Sequence, residues 1–279
     1  MTGVLNVVAR LAALLLGLVA LAVPGYVLVR TSRPRIEPLL ERNDAAPEPG
    51  EALIAVGFDR PDGLIVNEYS FWNPHSPRAT PSRTWEITSG SLFARDGAGW
   101  TGRPDWRRPN ARSTNATGSA VFRLRTRRTF GDVSVSFSLR VRRLVTTPKT
   151  PVRRWDGIHV FLRYYSPTSL YVASVNRRDN TVVIKKKVPR RSGGGRYYTL
   201  GAAAPHRVPF GSWQRVRADA ITNSDGSVTI TLFADGARLL TATDRGLGGP
   251  PLTAPGRVGI RGDNADFLFD DFRVRTLAY

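Results

Sequence analysis

The sequence predicts an all-β protein, a two-sheet antiparallel β-sandwich of jelly-roll form preceded by one N-terminal transmembrane helix. Three observations predict it. Apolar and polar side chains alternate with period 2 in run after run of the chain. Asp-Gly, Asn and Gly-rich clusters fall between those runs, where hairpin turns need them. No helix-length periodicity follows the apolar segment near the N-terminus.

Residues 11–29 (LAALLLGLVALAVPGYVLV) carry no charge, and 19 such residues approach the ~20 that cross a hydrocarbon core as a helix. Ala20-Leu21-Ala22 offers a small-x-small cleavage site, so a removed signal peptide competes with an uncleaved signal anchor. The apolar run continues through Tyr26-Val27-Leu28-Val29, which favours an anchor occupying residues 1–30. Arg30, Arg33 and Arg35 follow the span and Arg10 alone precedes it, a bias that would leave the domain in the cytoplasm. Residues 31–51 read as a Pro- and charge-rich linker, and residues 52–279 as the globular domain.

Within the domain, Ile54, Val56 and Phe58 alternate as a first strand, and 59–63 (DRPDG) is a turn cluster. An aromatic loop, 67–74 (NEYSFWNP), leads to a strand pair around Gly90, 85–93 (WEITSGSLF). Val133, Val135, Phe137, Leu139 and Val141 then alternate with Ser and Arg, the pattern of a strand with one buried face. Ile158, Val160, Leu162 and Tyr164 alternate with His159, Phe161, Arg163 and Tyr165. Aromatics on both sides predict a central strand whose second face is core or lines a groove. Residues 171–176 and 182–187 form a hairpin across 177–180 (RRDN). The closing stretch, 213–274, reads as a five-strand antiparallel meander, with Asp225-Gly226 and Asp235-Gly236 supplying positive-φ hairpin turns and Phe267, Phe269, Phe272 and Val274 on the last strand.

The opening FDRPDG, the WEIxxGSL pair and the closing GRVGIR…FDDFRV together resemble the concanavalin A-like lectin/glucanase superfamily, nearest its laminin-G-like and DUF1080-like branches. The resemblance covers about residues 52–276 and rests on strand patterns, not on a catalytic signature. It implies an exported sandwich whose concave sheet or rim loops meet carbohydrate. The expected location is therefore the cell membrane, single-pass with the domain outside, or secreted after cleavage, against the arginine bias just described.

The formal charge is +19, with 41 basic residues of which only Lys149, Lys185, Lys186 and Lys187 are lysine. The first 44 residues hold five Arg against three acidic residues, so the excess belongs to the domain. An arginine bias can follow genome composition, and it also suits an anionic partner such as an acidic polysaccharide or lipid headgroups. Cysteine is absent, which excludes disulfides and thiolate chemistry.

A glycosidase needs two carboxyls across the scissile bond. After Glu51 the domain has only Glu68 and Glu86, and the E-x-D-x-(x)-E run of the resembling glucanases is missing. Glu68 with Asp156 is the remaining candidate pair. His75, His159 and His206 are too scattered for a zinc site. His159 or a tyrosine, with arginine neutralising a uronate, could serve a lyase. Jelly rolls bring first and last strands together, so Asp59 and Asp271 could hold a structural Ca²⁺; otherwise Asp270 and Asp271 pair with Arg273, Arg275 or turn amides.

For ligand binding the sequence singles out Trp155, Asp156, Arg163, Tyr164, Tyr165, Asn176, Arg178 and Lys185, flanked by Arg177, Lys187 and Tyr197. Sugar C–H faces stack on rings, hydroxyls suit Asp, Asn and Arg, and the arginine fork grips carboxylate or phosphate. Trp72, Trp100 and Trp106 add tryptophans beside arginines. The same chemistry serves nucleic acid, but a membrane tether argues against that partner. Three functions follow as expectations. The first is a tethered carbohydrate-binding protein for an acidic glycan, the second a hydrolase or lyase with dispersed groups, the third an envelope assembly factor with a protein partner.

Overall fold

The computed structural model describes residues 50–102, 120–148 and 150–277. The expected transmembrane helix, most of the linker and Trp106 lie outside the described residues. No helix among those described is long and apolar enough to cross a membrane.

Sixteen strands and one helical turn follow in chain order. They are β1 (Ala52–Val56), β2 (Gly63–Asn67), α1 (Tyr69–Trp72), β3 (Trp85–Ser89), β4 (Ser91–Arg95), β5 (Ala98–Trp100), β6 (Val121–Thr126), β7 (Val133–Leu144) and β8 (Gly157–Ser166). Then come β9 (Ser169–Val175), β10 (Thr181–Pro189), β11 (Gly195–Pro205), β12 (Gln214–Thr222), β13 (Val228–Ala234), β14 (Ala237–Asp244), β15 (Arg257–Asp263) and β16 (Ala265–Thr276). One sheet has nine strands, ordered β14-β13-β12-β7-β16-β5-β4-β2, with β1 added along the C-terminal half of β16. The other has seven, ordered β11-β10-β9-β8-β15-β6-β3. The expected all-β, two-sheet antiparallel sandwich is thus present.

The core lies between the sheets. Val133, Val135, Phe137, Leu139 and Val141 of β7 face Ile158, Val160 and Leu162 of β8 across a single apolar cluster. Phe272 joins the two layers, with its ring 4.9 Å from Trp85 and 6.0 Å from Phe137. Truncating such a ring to alanine costs about 3–5 kcal/mol.

Four local expectations are corrected. Residues 85–89 and 91–95 are not paired with each other, because Gly90, at φ 81°, hands the chain from one sheet to the other. The closing meander stops after β14, since β15 joins the seven-stranded sheet and β16 returns to the nine-stranded one through Asn264 at φ 48°. Asp235-Gly236 is the expected double positive-φ turn, at 50° and 82°. Asp225-Gly226 is not; it lies in a wider loop in which Asn223 N–H donates to Ser227 O at 2.9 Å and only Gly226 is left-handed.

The fourth correction concerns β8. Arg163 takes φ 47°, and pairing with β15 jumps from Phe161–Gly259 to Tyr164–Arg257. This bulge reverses the side-chain alternation. Tyr164 therefore joins His159 and Phe161 on the outer face, and Arg163 turns inward, contrary to strict alternation.

Candidate functional site

Cross-strand pairing arranges the outer face of the seven-stranded sheet in rows. Ser174 of β9, His159 of β8, Arg261 of β15 and Arg123 of β6 stand opposite one another in turn. The next row runs Lys185, Val172, Phe161, Gly259, Arg125, Glu86, and beside it Lys187 stands between Tyr197 and Leu170. Gly259 is obligatory because a Cβ there would sit 2.1 Å from Leu124 O.

Two cavities open on this face. One of about 270 Å³ is lined by Trp155, His159, Ser174, Arg177, Lys185 and Asp263. The other, about 250 Å³, is lined by Phe71, Trp72, Arg123, Arg125, Tyr164 and Lys187. Tyr197 and Arg261 line both, so the two form one groove. Aromatic rings stand along it, and cations sit between them.

The groove carboxylates are saturated by cations. Glu86 accepts from Arg125 Nε at 2.6 Å and Arg257 Nη1 at 2.7 Å. Asp263 accepts from Arg261 Nε at 2.8 and 2.9 Å and lies 3.3 Å from His159 Nε2. Burial works to raise the Asp263 carboxyl, but Arg261 and His159 outweigh it and hold it well below the ordinary carboxylate range. Burial also lowers His159 below its usual value and keeps the ring neutral.

The lysines are compensated less: Lys187 Nζ donates to Pro167 O at 2.8 Å, and Asp179 acts on Lys185 only from a distance. Neither Lys185 nor Lys187 forms an ion pair with a carboxylate among the described residues. Burial, then Arg177, pulls Lys185 below the usual lysine value, and burial, then Arg261 and Arg123, does the same to Lys187. Arg177 is almost fully buried; its Nη2 donates to Asp179 Oδ2 at 2.6 Å, while its Nε has no hydrogen-bond partner among the described residues. Like charges held this close are eased by an anion.

Three of the eight expected binding residues, Trp155, Tyr164 and Lys185, line this groove. Trp155 is 46% exposed at its rim. Asp156 and Arg178 instead fasten the loop that carries Trp155. Asp156 accepts from Arg178 Nε at 3.1 Å and Arg153 N–H at 2.9 Å, and Arg178 N–H donates to Asp156 O at 2.7 Å. Asn176 is buried and left-handed, bonded to Gln214 and His206. Gly157 enters β8 beside it because a Cβ would lie 2.4 Å from Asn176 O.

Arg163 is 2% exposed, pairs with Asp132 and donates to Thr222 Oγ1 at 3.1 Å and to Phe130 O at 3.3 Å. It is a packing arginine. Tyr165 donates its hydroxyl to Ala254 O at 2.7 Å and lines neither cavity. The residues the sequence reading passed over are Arg123, Arg125, Arg261 and Asp263. Each carries charge at an outward position of an alternating strand, a signal visible only once the pairing order of the strands is known.

The remaining candidates are placed as follows. Asp271 accepts from Arg215 Nη1 and Arg273 Nε, both at 2.6 Å, the arginine pairing that competes with calcium. Asp59 lies near Gly57, on the side of Asp270. No group of three or more His or acidic side chains placed to hold a metal occurs among the described residues. Glu68 is buried and accepts Gly90 N–H at 2.9 Å, while Asp156 is bound to Arg178, so each is occupied at its own place.

Two antiparallel sheets stacked in this order make a jelly-roll β-sandwich, the fold that the strand motifs suggested. The sequence matches no protein-family model, and no curated protein matches it. Among solved structures the chain is similar to LamAcat from Zobellia galactanivorans, at 11% identity over 81% of this chain and 97% of that one, with a TM-score of 0.51. A LamA variant from the same organism, in complex with laminaritriose and laminaritetraose, matches at 11% identity over 82% and 100% of the two chains, with a TM-score of 0.52. A Bacillus subtilis protein with a galectin-like fold matches at 13% over 82% and 98%, with a TM-score of 0.51. Identities this low show a shared fold.

Proposed function

We propose that the chain is a membrane-tethered carbohydrate-binding jelly roll, its domain outside the cell, whose groove takes an acidic glycan. One observation carries this reading. Rings suited to stacking on sugar faces (Trp155, Tyr197, Phe71) share a groove with Lys185, Lys187, Arg123, Arg177 and Arg261, while Asp263, the carboxylate in its lining, is already bound by Arg261. The LamA complex with laminaritriose and laminaritetraose favours a sugar as the occupant. The uncharged run at residues 11–29 supplies the tether.

Glycosidase chemistry is less well served. A general acid needs a raised carboxyl pKa, and Asp263 is shifted the other way. The test is a panel of matched polysaccharides that differ only in carboxylate or sulfate content. Saturable binding of the acidic members, weakened by salt, supports the reading. Equal binding of neutral and acidic members contradicts it, and release of reducing ends or unsaturated uronates replaces it with an enzyme.

A further inference from the structure

Binding alone leaves three side chains at the Trp155 end of the groove unused. Ser174 Oγ lies 2.8 Å from His159 Nδ1, and His159 Nε2 lies 3.3 Å from Asp263 Oδ2. Ser174 and His159 are directly opposed on β9 and β8, and Asp263 stands on β15, the next strand over. All three line the same 270 Å³ cavity. A hydroxyl, an imidazole and a carboxylate in series are the parts of a nucleophile, its base and the group that orients the base.

We propose that Ser174 is a nucleophile activated by His159 and oriented through Asp263, and that its substrate is an acyl ester carried by the glycan of the groove. The identity of the alcohol half rests on the proposed function above; the nucleophile does not. The protonation states agree with these roles. Burial keeps His159 neutral, so Nδ1 can accept the Ser174 proton, and Asp263 stays ionised beside Arg261, 3.3 Å from Nε2 and close enough to favour the imidazolium without a formed hydrogen bond to it. Lys185 and Arg177 line the same cavity and supply cationic donors for a developing oxyanion.

The chemistry balances without a cofactor. Ser174 Oγ forms a bond to the ester carbonyl carbon while its proton passes to His159 Nδ1. The carbon–oxygen bond to the sugar then breaks, and His159 returns the proton to the departing sugar oxygen. Water, deprotonated by His159, attacks the acyl carbon, the bond from that carbon to Ser174 Oγ breaks as His159 passes the proton to Oγ, and the carboxylic acid leaves.

The experiment treats the full-length chain with a fluorophosphonate probe and with p-nitrophenyl acetate, maps the modified residue by peptide mass spectrometry, and measures acetate release from an acetylated polyuronate. The expected label is on Ser174. Ser174→Ala abolishes label and turnover while the chain still folds, as circular dichroism checks, and Ser174→Cys restores labelling by a thiol-directed probe at the same position. His159→Gln lowers the labelling rate by roughly 10²–10⁴-fold, and Asp263→Asn also lowers it. Absence of label on a folded chain that still binds glycan overturns the proposal, as does turnover that survives Ser174→Ala. Label on Ser174 without binding to any acidic glycan upholds the nucleophile and removes the glycan reading instead.

Discussion

Lys187 Nζ lies 5.0 Å from the centre of the Tyr197 ring, and Lys185 Nζ lies 5.9 Å from the same ring. One aromatic ring thus has two ammonium groups beside it, neither of them in an ion pair with a carboxylate among the described residues. Cation–π attraction of about 0.5–1 kcal/mol holds such groups in place, but Arg177, Arg261 and Arg123 press against them. The arrangement is suited to an anion laid along the ring.

Replacing either lysine by methionine is expected to weaken binding of an acidic oligosaccharide by about 1 kcal/mol, roughly fivefold in Kd. Affinity for a neutral analogue should stay unchanged. Calorimetry at two salt concentrations checks this, with a smaller salt dependence in the variants. Since both lysines titrate below the ordinary value of 10.5, binding should also weaken as pH is raised toward that value and the ammonium charge is lost.

Trp155→Ala and Arg163→Ala are expected to fail in different ways. Loss of the rim tryptophan removes a stacking surface worth about 0.5–1.5 kcal/mol of affinity and leaves stability unchanged. Loss of Arg163 uncovers Asp132, which keeps some solvent contact, and costs about 2–3 kcal/mol of stability. Binding by the fraction still folded should be normal. Denaturant titration with glycan titration on the same samples separates the two effects.

Lys186 and Asp244 are both fully buried, with Nζ 2.8 Å from Oδ2, and Tyr171 Oη donates to the same carboxylate. Burial works to raise Asp244, but hydrogen bonds from Lys186 and Tyr171 hold it below the ordinary range. Asp244 Oδ1 also accepts Gly246 and Leu247 N–H, so the network clamps the loop between β14 and β15. Lys186→Met alone should cost about 3–5 kcal/mol, and pairing it with Asp244→Leu should recover only part of that, because Tyr171 Oη and the Gly246 and Leu247 N–H groups then lose their acceptor. Equilibrium unfolding of the single and double variants is the check.

Stability should fall on acidification in two stages. His159 titrates below 6.5 in the folded chain, so the unfolded chain binds more protons just below that pH and stability drops as pH decreases through it. Asp263 titrates below 3.8 when folded, and its contribution, present above 3.8, is lost as pH falls further. His159→Gln should flatten the first stage and shrink the second, because His159 helps Arg261 hold Asp263 low. Thermal melts from pH 7 to pH 3 record both.

The fold was legible because alternation is a local property. Val133 to Val141 and Val228 to Leu232 needed only their own residues to declare a buried face. The groove was legible in part. Trp155 and Lys185 stand where ring and charge alone suggested, whereas Arg163 and Tyr164 exchange faces because a single left-handed residue shifts the parity of β8. The same device operates in β16, where Asp271 at φ 49° lets Phe267 and Phe269 share the core with Phe272 and Val274. There the switch from odd to even apolar positions was written in the sequence. Arg123, Arg125 and Arg261 were hidden because β6 and β15 meet only through the sheet order.

The central claim, a sugar seated along Tyr197 with its acidic groups among the lysines and arginines, is tested most directly by a crystal structure of the chain with an acidic oligosaccharide. The account predicts rings of the ligand over Tyr197 and Trp155, and its carboxylates or sulfates within hydrogen-bond distance of Lys185, Lys187 or Arg261. A ligand found instead on the outer face of the nine-stranded sheet, with the groove empty, would contradict it.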